Sequence, residues 1–271
     1  MVKLNDHELM LSGSNLDFHI LDLHTWKIKN VFFLPWERQE HVTSYENQFG
    51  YTNQYDDMVC RSYGENVYFN IRAEHPDLNM FVNPQGFFNK SRHIQEISIK
   101  EEKTERLLSA GYPASYMKDP SKHIIFSGTS FDIDKQGCFY VNYDTDSIVY
   151  VYNHNYKPVA SFGYSGKDMD TDYISIFSPE ESRENYRKER TTKGYYYWIE
   201  YVDETGVLFR SYHKNASQDG LQIYMGNTLI KDMEVPKGFR VMGYIAPYYY
   251  SYIIPQMEED DNSLVMYRMK F

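Results

Sequence analysis

The segment 130–163 contains four short runs of apolar and polar residues that alternate, separated by tight polar breaks. The runs occupy 130–134, 138–143, 147–152 and 157–163, and every break contains Gly, Asp or Asn. A period of two is typical of half-buried strands, and breaks of this composition are typical of turns. Four antiparallel strands within roughly 40 residues match the size of one β-propeller blade. The segment therefore predicts a propeller blade.

The same rhythm returns along the rest of the chain in a less regular form. The final run, Ser263–Phe271, is typical of a third strand that no fourth strand follows. We expect the missing strand of this last blade to come from the other terminus, as is common in closed propellers. The other paired runs with short polar breaks occur at 16–34, 93–109, 195–212, 221–235 and 239–254.

This recurrence predicts an all-β fold, a single β-propeller domain over 1–271 built from four-stranded antiparallel blades. Five blades are recognisable, and at this repeat length either five or six fit the chain. We favour six blades and keep five as the alternative. Three less regular stretches are predicted to be inserts, at 35–65, 74–92 and 164–194.

One insert contains a helix start. Ser178-Pro179-Glu180-Glu181 combines a capping serine, a proline at the first helical position and a glutamate three residues after the cap. The pattern predicts a helix that runs to Lys188 or Arg190. No other segment shows a comparably strong helix start.

The charge balance and the terminus exclude several classes of protein. The chain has 28 Lys and Arg against 38 Asp and Glu, a net charge of −10. Duplex DNA is a poor ligand for such a chain, because phosphate contacts need lysine and arginine. No apolar run approaches the roughly 20 residues that span a bilayer, and Met1–Glu8 shows no secretion signal. Cys60 and Cys138 fit half-buried thiols better than a disulfide or a metal site.

The regular blade also carries a family resemblance. Its segments Phe131–Asp134, Gly137–Val141, Ile148–Asn153 and Val159–Gly166, the last with a Phe-Gly-x-x-Gly ending, resemble the NHL and TolB-like six-bladed β-propellers. The whole chain looks most like the poorly characterised bacterial cell-envelope members of this group. The resemblance implies the fold and a place in the periplasm or at the surface if a leader has been removed, and otherwise the cytoplasm. It carries over no catalytic residue.

Tyrosine accounts for 27 of the 271 residues and is concentrated in short strand-like runs. The two densest runs alternate between two faces of a strand, so that one face can pack between blades and the other can meet a ligand. Inter-blade packing of both faces is the alternative interpretation. The candidate binding residues are Tyr195, Tyr197, Trp198, Tyr248, Tyr250 and Arg240.

No catalytic or metal site stands out among the polar residues. Asp132, Asp134, Asp144 and Asp146 could converge on Ca²⁺, but turn aspartates more often bond their own backbone. Asp168–Asp172 lacks the Gly and the distal Glu of a calcium loop. The nine histidines show no zinc spacing, and the chain has no Gly-x-Ser-x-Gly elbow. We therefore predict no metal site and no cofactor, with Ca²⁺ as the alternative.

These observations favour a non-catalytic recognition or scaffold propeller whose ligand is a protein or a glycan. We expect no nucleic acid partner and no transmembrane segment, and the sequence leaves the oligomeric state open. The alternative is an enzyme, a metal-assisted hydrolase or lyase with its site in the central funnel of the propeller. The enzyme would need Asp, Glu, His or Asn side chains from several blades to meet at one channel mouth.

Overall fold

The structure is a computed structural model that describes residues 1–12, 17–33, 50–51, 58–71, 73–74, 79–108, 111–253 and 265–270. The chain divides into two compact units, Met1–Tyr112 and Pro113–Phe271. Within the described residues, no helix combines the length and the apolar character that a membrane crossing requires.

The first unit opens with a four-stranded antiparallel sheet whose strands follow chain order. Its strands are β1 (Val2–Asn5), β2 (Glu8–Ser12), β3 (Asp17–Asp22) and β4 (Lys27–Phe33). Alternate residues of β3 point to a buried core, where the rings of Phe18 and Phe32 stack with centroids 5.2 Å apart. The strand β1 pairs with β2, so the amino terminus completes its own sheet.

A second four-stranded sheet in the first unit has the order β10-β9-β7-β6. A short pair and a helix interrupt its connections. The helix begins after Asn83, whose side chain accepts a hydrogen bond from the Gly86 amide. The elements are β5 (Gly50–Tyr51), β6 (Cys60–Tyr63), β7 (Asn66–Asn70), β8 (Ala73–Glu74), α1 (Pro84–Lys90), β9 (Ile94–Ser98) and β10 (Lys103–Leu108), with β5 paired to β8.

The second unit begins with two short 3₁₀ helices, Ala114–Met117 and Pro120–His123, and continues with a regular sheet. That sheet runs in the order β11-β12-β13-β14. A long helix separates it from the next sheet. The elements are β11 (Thr129–Ile133), β12 (Phe139–Tyr143), β13 (Val149–Tyr152), β14 (Pro158–Phe162) and α2 (Pro179–Thr192).

Two further sheets complete the second unit. The first runs in the order β15-β16-β17-β18, and the second contains only β19-β20-β21. Their strands are β15 (Tyr195–Val202), β16 (Val207–His213), β17 (Asp219–Met225), β18 (Thr228–Val235), β19 (Phe239–Ile245), β20 (Tyr248–Ile253) and β21 (Met266–Met269).

Apolar residues of neighbouring sheets meet between them. Val207, Phe209 and Leu221 pack with Phe239 and Val241 in one core cluster of the second unit. Burial of such side chains contributes about 1.5–3 kcal/mol each, which makes these contacts the main source of stability.

A polar contact ties two sheets of the second unit together. Arg210 of β16 is fully buried, and its guanidinium donates to Asn142 Oδ1 at 2.7 Å and to the Ser147 carbonyl at 2.7 Å. Its central carbon lies 3.3 Å from the ring centroid of Tyr196. A buried charge is tolerated only when it is hydrogen-bonded, and these partners supply that compensation.

The fold class predicted from the sequence is confirmed: the chain is an all-β propeller of antiparallel blades. The described residues form five blade sheets, four with four strands and one with three, which fits the five-bladed alternative rather than the favoured six. The last blade is one strand short within the described residues. The expectation that the amino terminus supplies the missing strand is wrong, because β1 pairs with β2 in the first sheet.

The helix predicted at Ser178 is confirmed, and Ser178 Oγ accepts from the Glu181 amide at 3.1 Å. It extends to Thr192, beyond the predicted end. The helix α1 was not predicted, although Asn83-Pro84 gives it a cap and a proline at its start. Within the predicted insert 35–65 the structure places β5 and β6, and β7 begins just after it at Asn66. Most of the rest of that insert lies outside the described residues.

Candidate functional site

The first tyrosine run begins strand β15, and a β-bulge interrupts its alternation. Tyr196 pairs with Tyr212 and Trp198 pairs with Ser211, which leaves Tyr197 as the extra residue. A bulge re-aims side chains that a regular strand would send to opposite faces. Tyr197 and Trp198 both contact β19 as a result. The Trp198 indole N–H donates to the Val241 carbonyl at 2.7 Å.

Tyr197 joins a buried polar network. Its hydroxyl lies 2.9 Å from Asp219 Oδ2 and 3.0 Å from the Phe239 carbonyl oxygen. The Gly238 amide donates to the same Asp219 oxygen at 2.7 Å. Burial, reinforced by the Asp219 carboxylate, raises the pKa of Tyr197 well above its ordinary value. Tyr197 is therefore a neutral hydrogen-bonding phenol that connects β15 to the start of β19.

Lys237 extends this network to His213. The Lys237 ammonium lies 3.3 Å from Asp219 Oδ1, donates to the Asn215 carbonyl at 2.7 Å and hydrogen-bonds His213 Nε2. Burial and the neighbouring ammonium lower the pKa of His213 to about 4, and burial also lowers the pKa of Lys237. The neutral imidazole accepts a hydrogen bond from the Lys237 ammonium, which connects His213, the last residue of β16, to the segment just before β19.

Tyr195 lies in a stack of charged and aromatic groups at the same end of β15. The Arg190 guanidinium lies 3.7 Å from its ring centroid, and the His213 ring stacks on it at 5.0 Å and 7°. Arg190 also donates to Asp144 Oδ2 at 2.6 Å, and both of these side chains are largely buried. The phenol ring is half-buried and held in place, with cationic and aromatic neighbours.

Arg240 completes this group. It is 7% exposed, and its guanidinium lies 4.8 Å from the Trp198 ring and 5.6 Å from the Tyr197 ring. The structure thus brings together Tyr195, Tyr197, Trp198 and Arg240, and it places Tyr197, Trp198 and Arg240 inside the packing between β15 and β19. Their buried polar atoms hold the fold together at this point.

The second tyrosine run lies on β20 and keeps a regular alternation. Tyr249 and Ser251 are buried, whereas Tyr248, Tyr250 and Tyr252 are half-buried and share the opposite face. Register places other exposed side chains beside them: Tyr248 pairs with Ile245, Tyr250 with Arg268 and Tyr252 with Met266. We call this surface the tyrosine face, and it consists of Ile245, Tyr248, Tyr250, Tyr252, Met266 and Arg268.

The tyrosine face combines apolar area with one cation. Ile245 is 70% exposed and Met266 is 54% exposed, and the Arg268 guanidinium lies 4.9 Å from the Tyr248 ring centroid. Aromatic residues, methionine and arginine are the types enriched in protein interfaces. The sequence analysis did not select four members of this face: Tyr252 lies within the tyrosine run itself, whereas Ile245, Met266 and Arg268 could be found only from the register of β19 and β21.

The two groups extend toward different ends of β19 and adjoin where Arg240 pairs with Tyr252. Tyr197 contacts Phe239, the first residue of β19, and Tyr248 pairs with Ile245, the last. Six residues of extended chain separate these positions by roughly 20 Å. The six residues selected from the sequence therefore divide between a buried junction and an exposed face.

The aspartates of the regular blade accept hydrogen bonds from nearby backbone amides. Asp134 Oδ1 accepts from the amides of Gln136 and Cys138, at 2.9 and 2.8 Å. Asp132 Oδ2 accepts from the Tyr201 amide at 2.6 Å, and Asp146 Oδ1 accepts from the Ile148 amide at 2.9 Å. In the part of the chain that the structure describes, no three His, Cys, Asp or Glu side chains are grouped as metal ligands.

Comparisons with known proteins provide independent support for the fold. No family model matches the chain, and no curated protein matches it. A solved structure of a DUF4221 family member from Bacteroides vulgatus is similar, with a TM-score of 0.65 at 10% identity over 98% of this chain and 76% of that chain. The Kuenenia stuttgartiensis hydrazine synthase matches at a TM-score of 0.49 and 9% identity, over 99% of this chain and 61% of that chain. The first similarity supports the propeller fold alone.

Proposed function

We propose that this chain is a non-catalytic recognition propeller and that it binds a protein through the tyrosine face. The observation that carries the proposal is that the half-buried Tyr248, Tyr250 and Tyr252 share one side of the last sheet with the exposed Ile245 and Met266. Contiguous exposed apolar and aromatic surface of this kind marks interaction sites.

The chemistry of this face favours a protein over a glycan. Tyrosine and arginine supply large contact area with few rotatable bonds, and a methionine side chain adapts to different partners. Arg268 stacks on Tyr248, which reduces the freedom that either side chain would lose on binding. Ile245 and Met266 add apolar area that a sugar, with its many hydroxyls, would cover less well.

The finer identity of the propeller belongs to the same proposal. The segment 130–163 supports a relationship to the NHL and TolB-like propellers, and through it a place in the bacterial cell envelope.

Photo-crosslinking tests the proposed surface. The chain carries p-benzoylphenylalanine at position 250 or, as a control, at position 186, where Tyr186 lies exposed on α2. In an extract of the source organism, position 250 should give a discrete protein adduct that position 186 does not give. Arg268→Ala in the same chain should weaken that adduct.

Two results would overturn the proposal. Adducts that are the same at both positions, or absent at both, would mean that the tyrosine face has no protein ligand. Saturable binding on a glycan array that Tyr250→Ala abolishes would replace the protein with a glycan.

A further inference from the structure

Within the described residues the last sheet is one strand short, and its third strand is less buried than the third strands of the other blade sheets. The third strands of the four-stranded sheets each contain buried residues: every residue of β9 is buried and β17 is buried except at Met225, whereas β3 and β13 contain both buried and half-buried residues. In β21 no residue is buried, and exposed and half-buried residues alternate. Among the described residues, β21 pairs with β20 alone. Among the described strands, none pairs with the edge of β21 that faces away from β20.

The register identifies the backbone groups at this open edge. The Ile253 amide donates to the Val265 carbonyl at 3.4 Å, so Ile253 and Val265 form a hydrogen-bonded pair. Hydrogen-bonded and non-hydrogen-bonded pairs alternate along an antiparallel ladder. The pairs Tyr252–Met266 and Tyr250–Arg268 are then of the non-hydrogen-bonded kind. Met266 and Arg268 consequently direct their N–H and C=O groups away from β20.

The side chains of β21 define what an added strand would contact. Tyr267 and Met269 pack on the core cluster around Phe239 and Val241. Met266 and Arg268 are exposed on the opposite face, and Lys270 follows with its side chain exposed as well. A strand beside β21 would thus meet apolar groups on one face and two cations on the other. Opposite charges across neighbouring strands stabilise pairing, and like charges oppose it.

We propose that the edge of β21 binds an extended acidic segment of a partner protein as the fourth strand of the last blade. The segment alternates apolar residues, which pack beside Tyr267 and Met269, with Asp or Glu, which pair with Arg268 and Lys270. Backbone hydrogen bonds to Met266 and Arg268 give affinity, and the alternating side chains give specificity. This proposal rests on the proposed recognition function and names the chemistry of its partner.

A labelled synthetic peptide tests the binding mode. The probe is a capped eight-residue peptide in which valine and glutamate alternate. Fluorescence anisotropy measures its binding to the full chain, at peptide concentrations too low for the peptide to self-associate. Two matched peptides replace glutamate with lysine or methylate alternate backbone amides. We expect saturable binding of the glutamate peptide, at least tenfold tighter than that of either matched peptide.

Variants of the chain separate the backbone from the charge. Met266→Pro removes an N–H that faces the open edge and leaves the hydrogen bonds to β20 in place, as edge prolines do. Arg268→Glu reverses the charge. Each should weaken peptide binding at least tenfold, whereas Lys231→Glu, on the outer strand β18, should bind like the parent chain. If Met266→Pro does not fold, Arg268→Glu and the methylated peptide still decide the question.

The outcomes distinguish this proposal from the proposed function. Strand addition is overturned if the glutamate peptide does not bind, if methylation leaves its affinity unchanged, or if Lys231→Glu weakens it as much as Arg268→Glu. A partner that crosslinks at position 250 but does not compete with the peptide rejects strand addition and keeps recognition. Peptide binding that Met266→Pro abolishes, without any partner at position 250, supports strand addition and rejects the tyrosine face.

Discussion

Two tyrosine-rich runs with similar sequences have opposite environments. In the run that starts β15, a bulge at Tyr197 sends Tyr197 and Trp198 toward the same neighbouring strand, where both are buried and hydrogen-bonded. In the run on β20, the pairing with β21 is regular, and Tyr248 and Tyr250 remain half-buried.

The difference shows that composition does not decide what a tyrosine does. The bulge and the contacts with β19 make the first run a structural junction, in which the Tyr197 hydroxyl and the Trp198 indole N–H are hydrogen-bonded. The second run has a buried side and an open side, and only its open side is available to a ligand. The following predictions test whether these two environments differ as strongly in energy as they do in geometry.

The largest expected effect is on stability in the first run. Trp198→Ala should lower the free energy of unfolding by about 3–5 kcal/mol, because it opens a cavity and removes the donor to the Val241 carbonyl. Tyr250→Ala, on the exposed face, should cost about 1 kcal/mol or less. Urea denaturation followed by circular dichroism measures both. Equal losses for the two variants would contradict the comparison.

A smaller change isolates the hydroxyl groups. Tyr197→Phe should lower the free energy of unfolding by about 1–3 kcal/mol, since it removes the buried hydroxyl that bonds Asp219 and the Phe239 carbonyl. Tyr248→Phe is the matched control and should stay within about 0.5 kcal/mol of the parent chain. The same denaturation curves give both values. If Tyr197→Phe left the free energy of unfolding unchanged, the Tyr197 side chain would contribute packing alone.

The junction should also make stability depend on pH. The pKa of His213 falls from 6.5 to about 4 on folding, so between these values the unfolded chain binds a proton that the folded chain does not. The free energy of unfolding must therefore fall as the pH decreases from about 6.5 toward 4. His213→Gln should make this dependence shallower.

The exposed His24 supplies the control for this measurement. His24→Gln should leave the slope of unfolding free energy against pH unchanged. His93 and His123, whose pKa values are also lowered to about 4 by burial, leave a residual slope in both variants. If His213→Gln and His24→Gln gave the same curve, the His213 environment would not be the one described.

Local signals in the sequence were sufficient for the elements but not for the junction. Strand alternation predicted the blades, and the cap at Ser178 predicted α2, because both depend on neighbours in the chain. The similar cap at Asn83 went unrecognised. The bulge at Tyr197 depends on the register with β16, and the exposure of Tyr248 depends on what covers β20. Neither relationship is encoded in a short segment.

The smallest effect concerns two arginine–aromatic pairs that share a distance but not an environment. Arg240 lies 4.8 Å from the Trp198 ring in the junction, and Arg268 lies 4.9 Å from the Tyr248 ring on the tyrosine face. Such pairs contribute about 2 kcal/mol when desolvated and about 0.5–1 kcal/mol when exposed. Double-mutant cycles with arginine changed to methionine and the aromatic residue to leucine should reproduce that difference.

Because the two arginine–ring distances agree, the difference between the two coupling energies reports mainly the effect of burial. The one other contribution is the intrinsic preference of arginine for tryptophan over tyrosine. Trp198→Tyr, combined with Arg240→Met, removes that remaining difference in ring type. Added salt should weaken the exposed Arg268–Tyr248 pair more than the buried one, since solvent ions reach only the former. Equal coupling energies in both cycles would mean that the two arginine–aromatic pairs are desolvated to the same extent. The tyrosine face would then not be the more accessible of the two surfaces.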